Sequence, residues 1–334
     1  MRTTLTTSTF TLPVCIIAGS VLWLLPEVGN PLLWGGWFVA IATTLLWAEL
    51  TNSETLMRVR SQMISTTFFA GMLLLPDLHM GSYASWLPFT LLGSYACLFK
   101  LFDVQRAEGY VFYSFFLLSI AILLSPPLLW LIPIYWWSMG FYFQKLTPRS
   151  WIASIFGLIT PIILWGLWMG VDGWLSNEER TLLPIVTSQI ASIFSASTHF
   201  DLHYWQQIFN TPACNISASD WRLLTTTGWF LIFSVVSTLH FHFNALQNKL
   251  KVRTYLQTLL LVEVVLWFCL IFMADESTPL MQLLMLTSAP FIAHYFTLSR
   301  GWMSNLLFAI GLISYIAILI FNYNSTWILS LIFS

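Results

Sequence analysis

Long apolar segments alternate with polar gaps along this chain, and Lys and Arg concentrate in every second gap. A helix of roughly 17–25 apolar residues is needed to cross a bilayer. Eleven segments meet that length: residues 8–25, 31–49, 60–76, 84–102, 108–124, 127–143, 150–170, 225–243, 254–273, 279–298 and 303–322. The fifth and sixth are separated only by Ser125-Pro126-Pro127, which suits a tight turn because proline ends one helix and is tolerated in the first turn of the next. The predicted fold class is all-α: a polytopic integral membrane helix bundle of about 11 transmembrane helices, forming a single transmembrane domain over residues 1–334. Pro13, Pro88, Pro133, Pro161 and Pro290 fall inside predicted spans, where each is expected to remove a backbone hydrogen bond and bend its helix.

The charges orient this bundle. Arg2, Arg58, Arg60, Lys100, Arg106, Lys145, Arg149, Lys249, Lys251, Arg253 and Arg300 occupy alternate gaps. The intervening gaps hold Glu27, Asp77, Asp172, Glu178, Glu179, Asp201, Asp220, Asp275 and Glu276. Short loops rich in Lys and Arg stay inside, so the N-terminus is predicted inside and the acidic gaps outside. Arg180 and Arg222 are the two cations that break the pattern.

Residues 171–224 form one large outer loop, far longer than the turns that join the other spans. In it Leu182, Leu183, Val186, Ile190, Ile193 and Phe194 recur at helical spacing, which predicts an amphipathic helix lying on the membrane. A second short helix is expected to align Phe200, Tyr204 and Ile208, and Asp220 is expected to cap the helix that re-enters the bilayer.

Composition then removes whole classes of function. With 57% hydrophobic and 8% charged residues the chain is not an ordinary soluble domain, in which charged residues are about a quarter of the total. A net charge of −1 without a basic cluster gives nucleic acid no footing as a partner. Membrane lipid is the partner composition demands, with other membrane proteins the alternative along the apolar flanks. Cys15, Cys97, Cys214 and Cys269 are widely separated and predict no disulfide framework. Tryptophans near the predicted boundaries, among them Trp34, Trp86, Trp229 and Trp302, are read as an interfacial belt.

The side chains that could carry chemistry are few. His199-Phe200-Asp201-Leu202-His203 places two imidazoles on one helical face but points Asp201 the other way. Zinc is not assigned, and His199 and His203 stand as general acid or base candidates at the outer leaflet. Glu263 is the carboxylate placed deep in a span, where a charge costs about 2.5–3.5 kcal/mol on the insertion scale. Its predicted partners are His294 and His240, with Glu263 about 15 Å and His294 about 9 Å from the inner ends of their helices. A protonated Glu263 bonded between helices and a proton or ion pathway are both open readings. Glu27, Asp77, Asp275 and Glu276 sit at predicted outer mouths, where they are either solvated acids or a site for a base or a divalent metal; no other cofactor is indicated. Arg180 and Arg222 are candidates for gripping a phosphate or headgroup, or else pair with Glu178, Glu179 or Asp220.

Between Arg58 and Pro161 the chain resembles the membrane core of bacterial multi-pass glycosyltransferases that use polyprenyl-linked sugars, the GT-C group. The resembling features are the Arg60-Ser61 span ending in Leu74-Leu75-Pro76, the Lys100-Leu101-Phe102-Asp103 loop, Ser125-Pro126-Pro127 followed by Leu131-Ile132-Pro133, and Pro148-Arg149-Ser150 before Pro161. The same Lys-Leu-Phe-Asp segment is similar to one in an uncharacterised family of bacterial multi-pass proteins. The resemblance covers about a third of the chain and implies the bacterial cytoplasmic (inner) membrane, a polyprenyl-linked glycan and transfer or polymerisation of lipid-linked sugars at the outer leaflet. It departs from the group at the first outer loop, Pro26-Glu27-Val28-Gly29-Asn30, where Glu27 is the single acid onto which a catalytic role carries. The large periplasmic loops of O-antigen polymerases and ligases, with Arg and His, are the second analogy and bear on Arg180, Arg222, His199 and His203. Beside this enzyme reading stand a non-catalytic scaffold or subunit of an envelope complex and, last, a coupled transporter built on Glu263.

Overall fold

The computed structural model describes residues 8, 10–24, 28–57, 61–79, 81–175, 191–198, 205–206, 210–211, 216–244, 249–273, 277–299 and 301–324. In chain order the helices are α1 (Thr11–Leu24), α2 (Pro31–Ser53), α3 (Met63–Leu73), α4 (Leu87–Lys100), α5 (Glu108–Leu124), α6 (Leu131–Trp137), α7 (Pro148–Leu175), α8 (191–198), α9 (Ala218–Asn244), α10 (Leu250–Phe272), α11 (Ser277–Leu298) and α12 (Trp302–Tyr323). No strand interrupts them among the described residues. Each of the eleven predicted spans therefore contains helix, but their lengths differ from expectation.

Five stretches are long and apolar enough to cross a membrane: Pro31–Ser53, Pro148–Trp168, Ala218–Phe243, Leu250–Phe272 and Ser304–Tyr323. The others are shorter or more polar for physical reasons the chain makes plain. Leu75 is extended ahead of Pro76, as a residue before proline must be, so α3 stops after 11 residues and a 3₁₀ turn, Pro76–Leu78, follows. At 1.5 Å per residue α3 spans only about 16 Å. The sixth span breaks into a 3₁₀ turn (Pro126–Trp130), α6 and a π-helical turn (Ser138–Tyr142). The proline expectation also needs correcting. Pro13, Pro88 and Pro133 lie in the first turns of α1, α4 and α6, where the missing N–H has no intrahelical acceptor to lose. Only Pro161 and Pro290 stand in helix interiors.

The chain divides into two compact units, one made of the residues up to Phe89 together with those from Leu202 onward, the other of Thr90–Asp201. In the first unit α11 is central, packed by α3, α9 and α10. Every residue of α11 from Leu280 to Phe296 is buried, including Gln282, Thr287, Ser288 and His294. Protein surrounds it rather than lipid, which is why a helix of lower hydropathy is tolerated there. Contacts at the helix ends give the directions: α2, α9 and α11 run away from the end where α2 begins, here the upper end, and α1, α3, α10 and α12 run toward it.

The second unit is held by polar contacts between its helices. Ser94 Oγ donates to the Ser114 carbonyl at 2.8 Å, Ser114 Oγ returns a bond to the Ser94 carbonyl at 3.1 Å, and Tyr135 Oη of α6 lies 3.0 Å from Ser94 Oγ. Gly157 lets α7 approach the α5 backbone: a Cβ there would stand 2.6 Å from the Phe112 carbonyl oxygen. Trp130 Nε1 donates to the Ser197 carbonyl at 2.9 Å, tying α8 down with Ile193 buried and Phe194 exposed. Leu182, Leu183, Val186 and Ile190, and the second predicted helix of the large loop, lie outside the described residues.

Candidate functional site

The upper end of the first unit assembles polar groups from four parts of the chain. The turn after α3 carries Asp77 and His79 and is pressed onto the start of α2 backbone to backbone. Gly81 N–H donates to the Leu32 carbonyl at 2.9 Å, and a Cβ on Gly81 would lie 2.2 Å from that oxygen. Reciprocally, a Cβ on Gly36 would lie 2.4 Å from the His79 carbonyl oxygen. Glycine is required at both positions by this close approach.

His79, which the sequence reading passed over, is 2% exposed. Its ring stacks on Trp23 with centroids 3.9 Å apart, and Nε2 lies 3.3 Å from the Met72 carbonyl. A carbonyl only accepts, so Nε2 carries the proton. Burial lowers the His79 imidazole from its ordinary value to about 4, with the bond to Met72 acting in the opposite sense. The ring is neutral at physiological pH.

The helix that follows the large loop brings Arg222 to Asp77. The guanidinium makes a two-pronged contact, Nε to Oδ2 at 3.1 Å and Nη2 to Oδ1 at 2.8 Å, across 145 residues of chain. Arg222 therefore pairs with Asp77, far from it in sequence, where nearness in sequence offers Asp220. The cap of α9 also differs from expectation. Ser217 Oγ accepts the Asp220 backbone N–H at 3.1 Å and donates to Asp220 Oδ2 at 2.6 Å, so Ser217 is the cap and Asp220 sits inside the first turn.

Beside this pair lies a cavity of about 170 Å³ lined by Leu75, Asp77, Leu78, Ser219, Asp220, Leu223, Ser277 and Thr278. Ser277 and Thr278 open α11, so two helix starts, α9 and α11, face the same space. Its walls offer two carboxylates and three hydroxyls. The guanidinium charge is already engaged by Asp77, which makes the cavity better suited to a hydroxyl-rich or cationic group than to a phosphate.

Below it, Asn322 of α12 bridges the bundle. Its amide donates to the Leu74 carbonyl at 2.5 Å and to Thr226 Oγ1 at 2.9 Å, while Thr225 Oγ1 donates to its Oδ1 at 3.4 Å. Tyr315 Oη donates to the Ala70 carbonyl at 2.9 Å. Carbonyls near the end of α3, which lack partners in the helix itself, are thus met by side chains.

Glu263 is 2% exposed and accepts a bond from Ser234 Oγ at 2.5 Å. His294, 3% exposed, lies against Phe241 and His240, with the two imidazole centroids 6.5 Å apart. Glu263 thus has a serine partner on α9, and it lines neither this cavity nor the larger one described below. At the lower end a constellation absent from the sequence reading appears. Glu54, 1% exposed, accepts from Lys251 Nζ at 2.9 Å and from Tyr255 Oη at 3.1 Å. The available signal was an acid standing in an otherwise basic gap. Glu27, Arg180, His199, His203, Asp275 and Glu276 lie outside the described residues. Among the described residues no three His, Cys, Asp or Glu side chains gather as metal ligands. Comparison with protein-family models, curated proteins and solved structures finds no match to this chain.

Proposed function

We propose that this is a multi-pass protein of the bacterial cytoplasmic membrane that takes the sugar head of a lipid-linked glycan at the outer face and transfers it. The supporting observation is the upper cavity, where Asp77 and Asp220 meet the hydroxyls of Ser219, Ser277 and Thr278. Carboxylates accept hydrogen bonds from sugar hydroxyls, and Ser and Thr both accept and donate, so this lining matches a polyhydroxyl group. The charge pattern assigns the same end to the outside.

In this reading Asp220 is the general base toward an acceptor hydroxyl. The acceptor oxygen bonds to the anomeric carbon as the bond from that carbon to the lipid-phosphate oxygen breaks; the hydroxyl proton passes to the carboxylate, and the lipid phosphate leaves. Asp77, held by the Arg222 fork, is a positioning residue for the head. Glu263, enclosed and bonded to Ser234, favours a structural role over transport.

Profiling lipid-linked intermediates in a deletion strain tests the proposal. Accumulation of a polyprenyl-linked precursor, relieved by the wild-type gene and not by Asp220→Asn, is expected. An unchanged glycan and lipid-intermediate profile overturns the enzyme reading in favour of a membrane scaffold.

A further inference from the structure

A second cavity, of about 300 Å³, lies in the same unit, bounded by α1, α3, α9, α11 and α12. Its walls include Cys15, Ala70, Gly71, Phe230, Ile292 and Leu312. The hydrogen-bonding atoms around it are largely spent within the protein. Trp229 Nε1 donates to Ser314 Oγ at 2.8 Å, Tyr315 Oη to the Ala70 carbonyl at 2.9 Å, and Thr66 Oγ1 to the Gln62 carbonyl at 2.9 Å. Water needs two to four polar partners to occupy a cavity, and this lining offers few. Leu312, at the rim on α12, is 49% exposed, so the medium at the mouth of a membrane-spanning bundle is hydrocarbon.

Both cavities are built on α9 and on one stretch of chain, α3 for the apolar one and the turn that follows it for the polar one. Along α9, Leu223 lines the polar one and Phe230 the apolar one, seven residues or about 10 Å apart along the helix. Polar space above and dry space below match the two ends of one amphiphile. The wall toward lipid is weakly held. Only 6% of the apolar stretch of α12 is buried, and Ser314, Tyr315 and Asn322 tether it through hydrogen bonds. In a bilayer such bonds contribute about 0.6 kcal/mol each, because the separated helix finds other partners.

We infer that the apolar cavity binds a single hydrocarbon chain of a lipid, admitted from the bilayer by displacement of α12. This rests on the proposed lipid-linked substrate and supplies the seat for its tail. The test uses the full-length protein in phospholipid vesicles with a long-chain alcohol that carries a diazirine and neither phosphate nor sugar. After irradiation, adducts concentrate on peptides holding Cys15, Ala70 and Leu312. They fall at least fivefold in Ala70→Phe, which fills the space, and stay at the wild-type level in Asp220→Asn. Cys15→Phe serves if the first variant does not fold. Even labelling along the outward residues Ile313, Ile316 and Ile320, unaffected by either filling variant, overturns the inference, as does a cross-link showing residues 325–334 or a second copy in the cavity. Because the probe has no head, labelling with an unchanged glycan profile keeps the chain site and removes the sugar-transfer reading. The converse pair of results does the opposite.

Discussion

Two ion pairs hold opposite ends of the first unit, and they differ in nearly every property that matters. At the lower end Glu54 is 1% exposed and takes both Lys251 and Tyr255, so its charge is enclosed and fully engaged. At the upper end the Asp77 side chain is 44% exposed and the Arg222 side chain 19%, and the pair borders a cavity. A buried carboxylate that loses its cation is left uncompensated, whereas an exposed pair exchanges its bonds for water. The first is built to clamp α2 to α10. The second, exposed beside a cavity, exchanges its bonds with water at little cost.

The strongest way to break this contrast is at the clamp. Lys251→Met is expected to cost about 3–5 kcal/mol, since Glu54 remains buried without its partner. Thermal unfolding of purified protein measures this, and adding Glu54→Gln recovers part of the loss. A comparable loss for Arg222→Gln would erase the distinction between the two ends.

Acid separates the ends next. His79 is lowered to about 4 from 6.5 in the unfolded chain, so the unfolded state binds the extra proton first. Stability is therefore full above about 6.5 and declines as the pH falls toward 4, by up to roughly 3 kcal/mol at 1.4 kcal/mol per pH unit. His79→Gln is expected to flatten that slope. An unchanged slope between pH 6.5 and 4 in the variant would show that the ring is not the proton acceptor.

Sterics at the upper end come third. A methyl group on Gly81 collides with the Leu32 carbonyl, and Gly81→Ala is expected to cost about 1–3 kcal/mol as the turn shifts from α2. Such a shift also moves Asp77, so head-group recognition should fall with stability. The smallest stability effect, about 0.2–1 kcal/mol, is expected for Arg222→Gln. The same variant should nevertheless lose complementation of the deletion strain, and retention of full activity would detach the pair from function.

Much of this was legible in the sequence because lipid imposes length and polarity segment by segment. Apolar runs marked where helices lie, and five of them are long and apolar enough to cross a membrane. Local chemistry was readable too where proline acts on its neighbour, as at Ser125-Pro126, where α5 ends at Leu124 and Ser125 is extended. Periodicity did not show that Pro13, Pro88 and Pro133 begin helices, because an apolar run does not mark its own first turn. Asp77 and Arg222 were each singled out, yet their pairing was hidden by the 145 residues between them.

What the sequence determined by itself is the helical class, the succession of apolar segments and the sign of charge at each end, all consequences of each residue's own free energy of transfer. What only the tertiary structure decided is which polar groups meet: Arg222 with Asp77, Lys251 with Glu54, Ser234 with Glu263, Asn322 with the end of α3. Those choices follow from helix packing, in which close approach at Gly36 and Gly81 and enclosure of α11 select partners that no local property of the chain encodes.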